Sequence, residues 1–381
     1  MSLPYYLRFA DLLTDDDIID LVVPFKAERR IITTGAFNTS FTIPDSSLGA
    51  QIKKIISSKS VVYAHAGDQI IGVYIIWSKK LSRNASGEVT CSIQGSTMES
   101  YFYRRLLDTN LTYTGIEQTE IALNLVNGAM TGTSTYPNAA GIGLEITRDI
   151  SGVARDREYL ASDNDTYGDL LENLSSVDGG FEYTVDAFID GLARTRNLRI
   201  QYPSLRSTSQ VLTADEPGDI ISWSVTEDGT QGYTRFRARG KADTSDPSLG
   251  SEPIVSSWHE ADSWLAAGYP LLDASSDYTS VTEVTTLDKY AAWWKANRSG
   301  PLQVITLVLD PRRMNAQGFS PFALGCTISA RLNNPAYPTV SGAPGLVVDS
   351  RMIGFDLDVS SEGEDTYTVV VESDFDPTEV A

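Results

Sequence analysis

The sequence predicts an α+β fold that is mainly β, and three observations carry the prediction. Short alternating apolar runs fill the chain up to about Thr112 and return after Leu205. Between them, from Gly115 to about Tyr202, helical spacing alternates with strand spacing. Clusters of Gly, Asn, Asp and Pro separate the runs. With 381 residues, 41% of them hydrophobic, the chain can bury a sizeable core, and its length suggests roughly 2–3 domains.

The first part reads as strands: IDLVVPFK, SFTIP, SVVYAHAGDQIIGVYIIWSK and EVTCSIQG. They are joined by turns such as Ala66-Gly67-Asp68-Gln69 and Asn84-Ala85-Ser86-Gly87. A small antiparallel barrel or sandwich is expected. Within it, DSSLGAQIKKII spaces Leu48, Ile52, Ile55 and Ile56 as a short helix would.

In the middle part, Glu117 to Met130 sets Ile121, Leu125 and Ala129 on one helical face, with Glu117 and Glu120 in the first turn. Thr166 to Ser175 is a second helix, with Thr166 as N-cap and Asp169 three residues on. The turn at Asp178, Gly179 and Gly180 ends it. A strand follows in which Phe181, Tyr183, Val185 and Ala187 share one face, and Glu182, Thr184 and Asp186 share the other.

Leu205 to Lys241 returns to strands, DIISWSV and YTRFRARGK, before the Pro-, Ser- and Asp-rich stretch ADTSDPSLGSEP, the clearest boundary in the chain. A helical insert comes next, SSWHEADSWLAAG and LDKYAAWWKANR, which concentrates Trp258, Trp264, Trp293 and Trp294. Clustered tryptophans can stack sugars, but at helical spacing they pack a core. From Gly300 to Glu372 the chain is strand again: QVITLVLD reads as a central strand, MIGFDLDVS and DTYTVVVE as half-exposed ones.

Composition and motifs narrow the function. Thirty basic against fifty acidic residues, a net charge of −20, argue against a duplex-nucleic-acid binder. Cys91 and Cys326 stand far apart without CxxC spacing, so two buried thiols are expected, with no disulfide framework and no zinc site. The N-terminus lacks the order of a secretory signal, and no apolar run reaches the ~18 residues of a membrane span; a soluble protein made in a cytoplasm is expected. Only two histidines occur, His65 and His259, and neither a phosphate-binding loop nor HExxH is present. Asp163-Asn164-Asp165 with Gly168 opens like a calcium loop, but Tyr167 takes a ligand position and Leu174 the twelfth, so helix capping accounts for it better. No catalytic residue, cofactor or metal ligand is expected.

Several stretches taken in order resemble the minor tail or tail-hub proteins of long-tailed phages that infect actinobacteria, a Gp37-like siphovirus family. They are SFTIP (Ser40 to Pro44), GDQIIGVY, SYFYRRLL with Tyr101, Arg104 and Arg105, GGFEYTVDAF, and GLVVDSRMIGFDLDVSSEGEDTYTVVVES. Such proteins are similar to baseplate hubs and tail-associated hubs. The resemblance implies two tail-tube-like antiparallel β-barrels with helix-containing inserts, and a homotrimer whose six barrels match a sixfold tube. On this chain it implies a first barrel at 1–112, an α/β insert at 113–205, a second barrel from 206–245 and 300–381, and the Trp-rich insert at 246–299. Its implied partners are a tail-tube or distal tail protein hexamer, other tip minor tail proteins, the tape-measure protein, and genomic DNA that passes without specific binding. The implied location is the distal tail tip of the virion. Since the chain stops soon after the second barrel, any cell-wall hydrolase or adhesin is expected to sit on another polypeptide or to be absent.

The most unusual charge feature is YTRFRARGK. As a strand it puts Tyr233, Arg235, Arg237, Arg239 and Lys241 on one face and Thr234, Phe236 and Ala238 on the other. The stripe reads as a subunit or hub-to-tube contact, as a solvated face balanced by local acids, or, least well, as a contact to passing DNA. A carbohydrate-binding or cell-wall-active tip protein, motivated by the tryptophans, is the second functional reading.

Overall fold

The computed structural model describes residues 5–372 except 178, 192, 244–251, 279–280, 314–321 and 340–344. Asp178, most of the ADTSDPSLGSEP boundary and the C-terminal residues lie outside the described residues.

Strands β1 (Tyr5–Asp11), β2 (Asp17–Leu21), β3 (Phe25–Arg30) and β4 (Ala36–Thr42) lead to helix α1 (Ser46–Ile52) and strands β5 (Ser60–Ala66), β6 (Gln69–Arg83) and β7 (Val89–Thr97). After a 3-10 segment, Met98–Arg104, come β8 (Leu111–Glu117), α2 (Gln118–Ala129), β9 (Leu144–Arg148), β10 (Ala154–Tyr159), α3 (Tyr167–Ser175), β11 (Glu182–Asp190) and β12 (Ala193–Gln201). The remainder is β13 (Ser207–Asp215), β14 (Ile220–Asp228), β15 (Arg235–Asp243), β16 (Glu252–Val255), β17 (His259–Glu260), α4 (Asp262–Ala266), β18 (Asp273–Asp277), α5 (Val284–Arg298), β19 (Leu302–Leu309), β20 (Cys326–Leu332), β21 (Leu346–Val359) and β22 (Thr366–Val371). The fold is α+β and mainly β.

Two compact units result, Met1–Ser222 with Leu307–Glu372, and Trp223–Thr306. A 13-stranded sheet runs β14-β19-β22-β21-β3-β4-β7-β6-β5-β1-β2, with β20 pairing β21 and β13, and all its strands except β14 and β19 lie wholly in the first unit. The two strand-rich regions therefore do not form separate closed barrels among the described residues. They share one sheet because β3 pairs antiparallel with β21, Ala27 opposite Leu357. The length of β21 allows this: Leu346–Arg351 pair with β20, while Met352–Val359 serve β22 and β3.

Alternation decides the faces of this sheet. Phe25, Ala27, Phe37, Cys91, Ile93, Phe355, Leu357, Tyr367 and Val369 are buried, and the residues between them face outward, as period 2 requires. The second core layer packs α2, α3 and the sheet β11-β12-β9 against Val61, Tyr63, Val73 and Ile75. Helix α2 starts where the Glu117 carboxylate accepts from Glu120 N (2.9 Å), and α3 where Thr166 accepts from Asp169 N (3.1 Å). The hydroxyl of Thr166 donates back to Asp169, so Thr166 and Asp169 cap the helix reciprocally.

The strand β11 differs from expectation. Its aromatic face is buried, but so is Thr184, and Asp186 and Glu182 are half-buried ion-pair partners. Arg29, 5% exposed, reaches across to Asp186 at 2.6 Å and to the Val185 carbonyl at 3.0 Å, while Arg199 holds the other Asp186 oxygen. Arg351, 7% exposed, donates to Glu182 and Glu372, each at 2.8 Å, and to the Leu205 carbonyl at 3.0 Å. Arg196, 4% exposed, binds Asp15, the Tyr63 hydroxyl and the carbonyls of Leu12 and Ile142. Burial pulls the Asp186 carboxyl up, but the Arg29 and Arg199 charges outweigh it and hold it below the usual value.

In the second unit β15 is central, flanked by β16, β17 and β18 and backed by α5. The expectation that YTRFRARGK joins the 300–372 strands is thus corrected. Thr234, Phe236 and Ala238 are buried, Ala238 packing with Leu287 and Ala291 of α5. That apolar side needs a local helix to cover it. The insert is less helical than its spacing suggests: α4 spans five residues, and β16, β17 and β18 are strand.

Two outcomes follow. Arg351→Met strands Glu182 and Glu372, and urea unfolding is expected to show a loss of about 3–5 kcal/mol; a loss below about 1 kcal/mol would count the cluster as surface-like. His65 is fully buried, stacked on Tyr6 at 4.4 Å and 13°, with neither ring nitrogen hydrogen-bonded. Burial first, then Arg8, lower its pKa from 6.5 to about 4, against the opposing pull of Asp20. Because the folded form resists the proton, stability is full above pH 6.5 and falls through the window down to about pH 4, by up to about 3 kcal/mol. His65→Phe, which keeps the stack, is expected to flatten that slope in urea titrations.

Candidate functional site

Two surfaces carry features beyond packing. The first is the outward face of the large sheet. Residues Asn38, Ser40 and Thr42 of β4, Thr90, Ser92 and Gln94 of β7, and Thr366 and Thr368 of β22 project from the face opposite the core. Hydroxyls pair across strands, Ser40 with Ser92 at 3.0 Å and Ser82 with Thr90 at 2.9 Å. The charges on β3 and β21 are paired as well: Lys26 with Asp358 at 2.6 Å and Arg30 with Asp356 at 2.5 Å. Glu28 accepts from Ala36 N, so the outward side chains of β3 and of the Gly354–Val359 stretch of β21 carry two cations and three carboxylates. A groove of about 650 Å³ lies over this face, between Lys26, Ser40, Gln94, Asp358 and Glu364. It contains no convergent acid, base and nucleophile, and offers hydroxyl and amide groups.

The second surface is the exposed face of β15. The predicted alternation holds, with Tyr233, Arg235, Arg237 and Arg239 half-buried and Lys241 exposed. The structure brings the three arginines against β18, which runs parallel: Arg235 opposite Asp273, Arg237 opposite Ser275, Arg239 opposite Asp277. Arg235 makes a two-pronged bond to Asp273, both at 2.8 Å, and Arg239 lies 3.5 Å from Asp277. The hydrogen bond from Arg235 holds the Asp273 carboxyl below its usual value. Much of the stripe is therefore balanced by local acids. Both Arg235 and Arg237 also lie over the Trp258 ring, at 4.2 and 4.7 Å.

The other tryptophans pack. Trp264 is 4% exposed, the Trp294 indole donates to the Tyr278 hydroxyl at 2.8 Å, and Arg298 lies over Trp294. Sequence reasoning missed the partner strand β18, because DASSD has no apolar alternation to announce it.

No protein-family model and no curated protein matches this sequence. Solved structures do. The 43 kDa tail protein of prophage MuSo2 from Shewanella oneidensis superposes with a TM-score of 0.63 at 12% identity, over 99% of this chain and 100% of that one. The tail protein from Neisseria meningitidis MC58 gives 0.60 at 10% identity over 97% of both chains. Prophage tail protein gp18 from Listeria monocytogenes EGD-e gives 0.52 at 13% identity, over 98% and 96%. Over nearly its whole length the chain thus has the fold of solved prophage tail proteins.

Proposed function

We propose that this chain is a structural phage tail-hub protein of the virion, without catalytic activity, that closes the distal end of the tail tube as a homotrimer. The observation that carries the reading is end-to-end fold likeness to the Shewanella prophage tail protein, covering 99% and 100% of the two chains. A hub adapts sixfold to threefold symmetry, anchors the tip proteins, meets the tube or distal tail hexamer and the tape-measure protein, and opens for DNA ejection. Its mechanism is interface burial and symmetry. The kinship with actinobacteriophage hubs rests on the sequence motifs.

The polar face of β3, β4, β7, β21 and β22 suits a channel wall. Lys26 and Arg30 are already paired to carboxylates, so neither is free to hold a passing phosphate, and hydroxyls bind water as readily as DNA. The basic stripe remains the proposed subunit contact, resting on those members that no local acid neutralises. A glycan-binding tip protein is less well supported, since the tryptophans that motivated it are engaged in packing and guanidinium contacts.

Light scattering of the purified chain is expected to give three times the chain mass; a monomer retained on cell-wall glycan would favour the tip-protein reading instead. Phage carrying Ser40→Lys with Ser92→Lys is expected to build normal tails but eject DNA several-fold more slowly. Unchanged ejection kinetics would remove this face from the channel.

A further inference from the structure

Among the three arginines of β15, Arg237 alone lacks an ion pair in the described residues. Its β18 neighbour is Ser275, whereas Arg235 and Arg239 face Asp273 and Asp277. Its Nε is covered and has no hydrogen-bond partner. The guanidinium lies over Trp258, which is 37% exposed. A half-desolvated cation is costly to keep; with Nε covered, the terminal nitrogens are the ones that can meet an incoming anion, and a guanidinium already oriented on an indole loses little freedom when they do. Arg and Trp together are also the residue types that dominate protein contacts.

We propose that Arg237 on Trp258 is a preformed receptor for one carboxylate of a second copy of this chain, and forms the centre of a subunit contact. The flanking acids select for a single carboxylate over a polyphosphate. Asp273, Asp277 and Glu260, which pairs in register with Arg235, balance the neighbouring arginines and repel a row of phosphates. The same chain supplies the anion in excess: its net charge is −20, and exposed Asp163, Asp165, Asp169, Glu362 and Glu364 make no ion pair among the described residues. The inference rests on the homotrimer reading and names the contact residue that reading lacks.

The test compares the mass distribution of full-length wild type and Arg237→Met by light scattering across protein and salt concentration, with thermal melts as the control for folding. Methionine keeps an apolar stem against Trp258 and removes the charge. The expected result is a wild-type trimer that salt weakens, and a folded variant at single-chain mass or with association weakened at least tenfold. If Arg237→Met does not fold, Arg237→Gln, which also removes the charge, is read in its place, with the same tenfold criterion. A folded variant that trimerises like wild type overturns this inference and leaves the homotrimer standing. A wild type that stays single-chain at every concentration overturns the homotrimer, and this inference with it. Arg237-dependent retention of wild type on duplex DNA would assign the site to phosphate and overturn it as well.

Discussion

Buried guanidinium groups hold the first unit in register. Arg29, Arg196 and Arg351 each leave one layer and end on carboxylates and carbonyls of another, joining β3 to β11, β12 to the turn after β1, and β21 to β11 and to Glu372 just after β22. Each reaches several acceptors at once, which is what a planar five-donor group can do and an ammonium cannot. Apolar packing would tolerate a slide of β11 along the sheet; these bonds do not. Replacing such a cluster with apolar side chains could leave stability unchanged, but removing one partner could not.

The large sheet shows how one alternation serves two purposes. Every second residue of β3, β4, β7, β21 and β22 builds the core, and every other one builds a hydroxyl- and amide-rich surface whose cations are already neutralised. The core half accounts for stability through apolar burial. The polar half presents hydroxyls paired across strands, and its Lys26 and Arg30 are held by carboxylates.

The second unit solves a different problem. Strand β15 carries three arginines on one face and a buried Phe236 and Ala238 on the other, so α5 covers the apolar side while β18 brings two aspartates to the charged side. Local pairing consumes two of the three arginine charges. The remaining cation is singular because Ser275 stands where the pattern of β18 would put a third acid.

The α+β class, the positions of α2 and α3 with the Thr166 cap, and the two faces of β15 are legible in the residues alone, because periodicity and capping are local and act within a few residues. The folded chain, and nothing local, pairs β3 with β21 across more than three hundred residues and so joins the first strand-rich region to the last in one sheet. It also decided that Asp186 and Glu182 turn from a solvent face into anchors for Arg29 and Arg351, and that Arg235 and Arg239 are balanced while Arg237 is not. Strand partners and ion pairs depend on which distant segments meet, and an arginine destined for burial has the same letter and the same spacing as one destined for water.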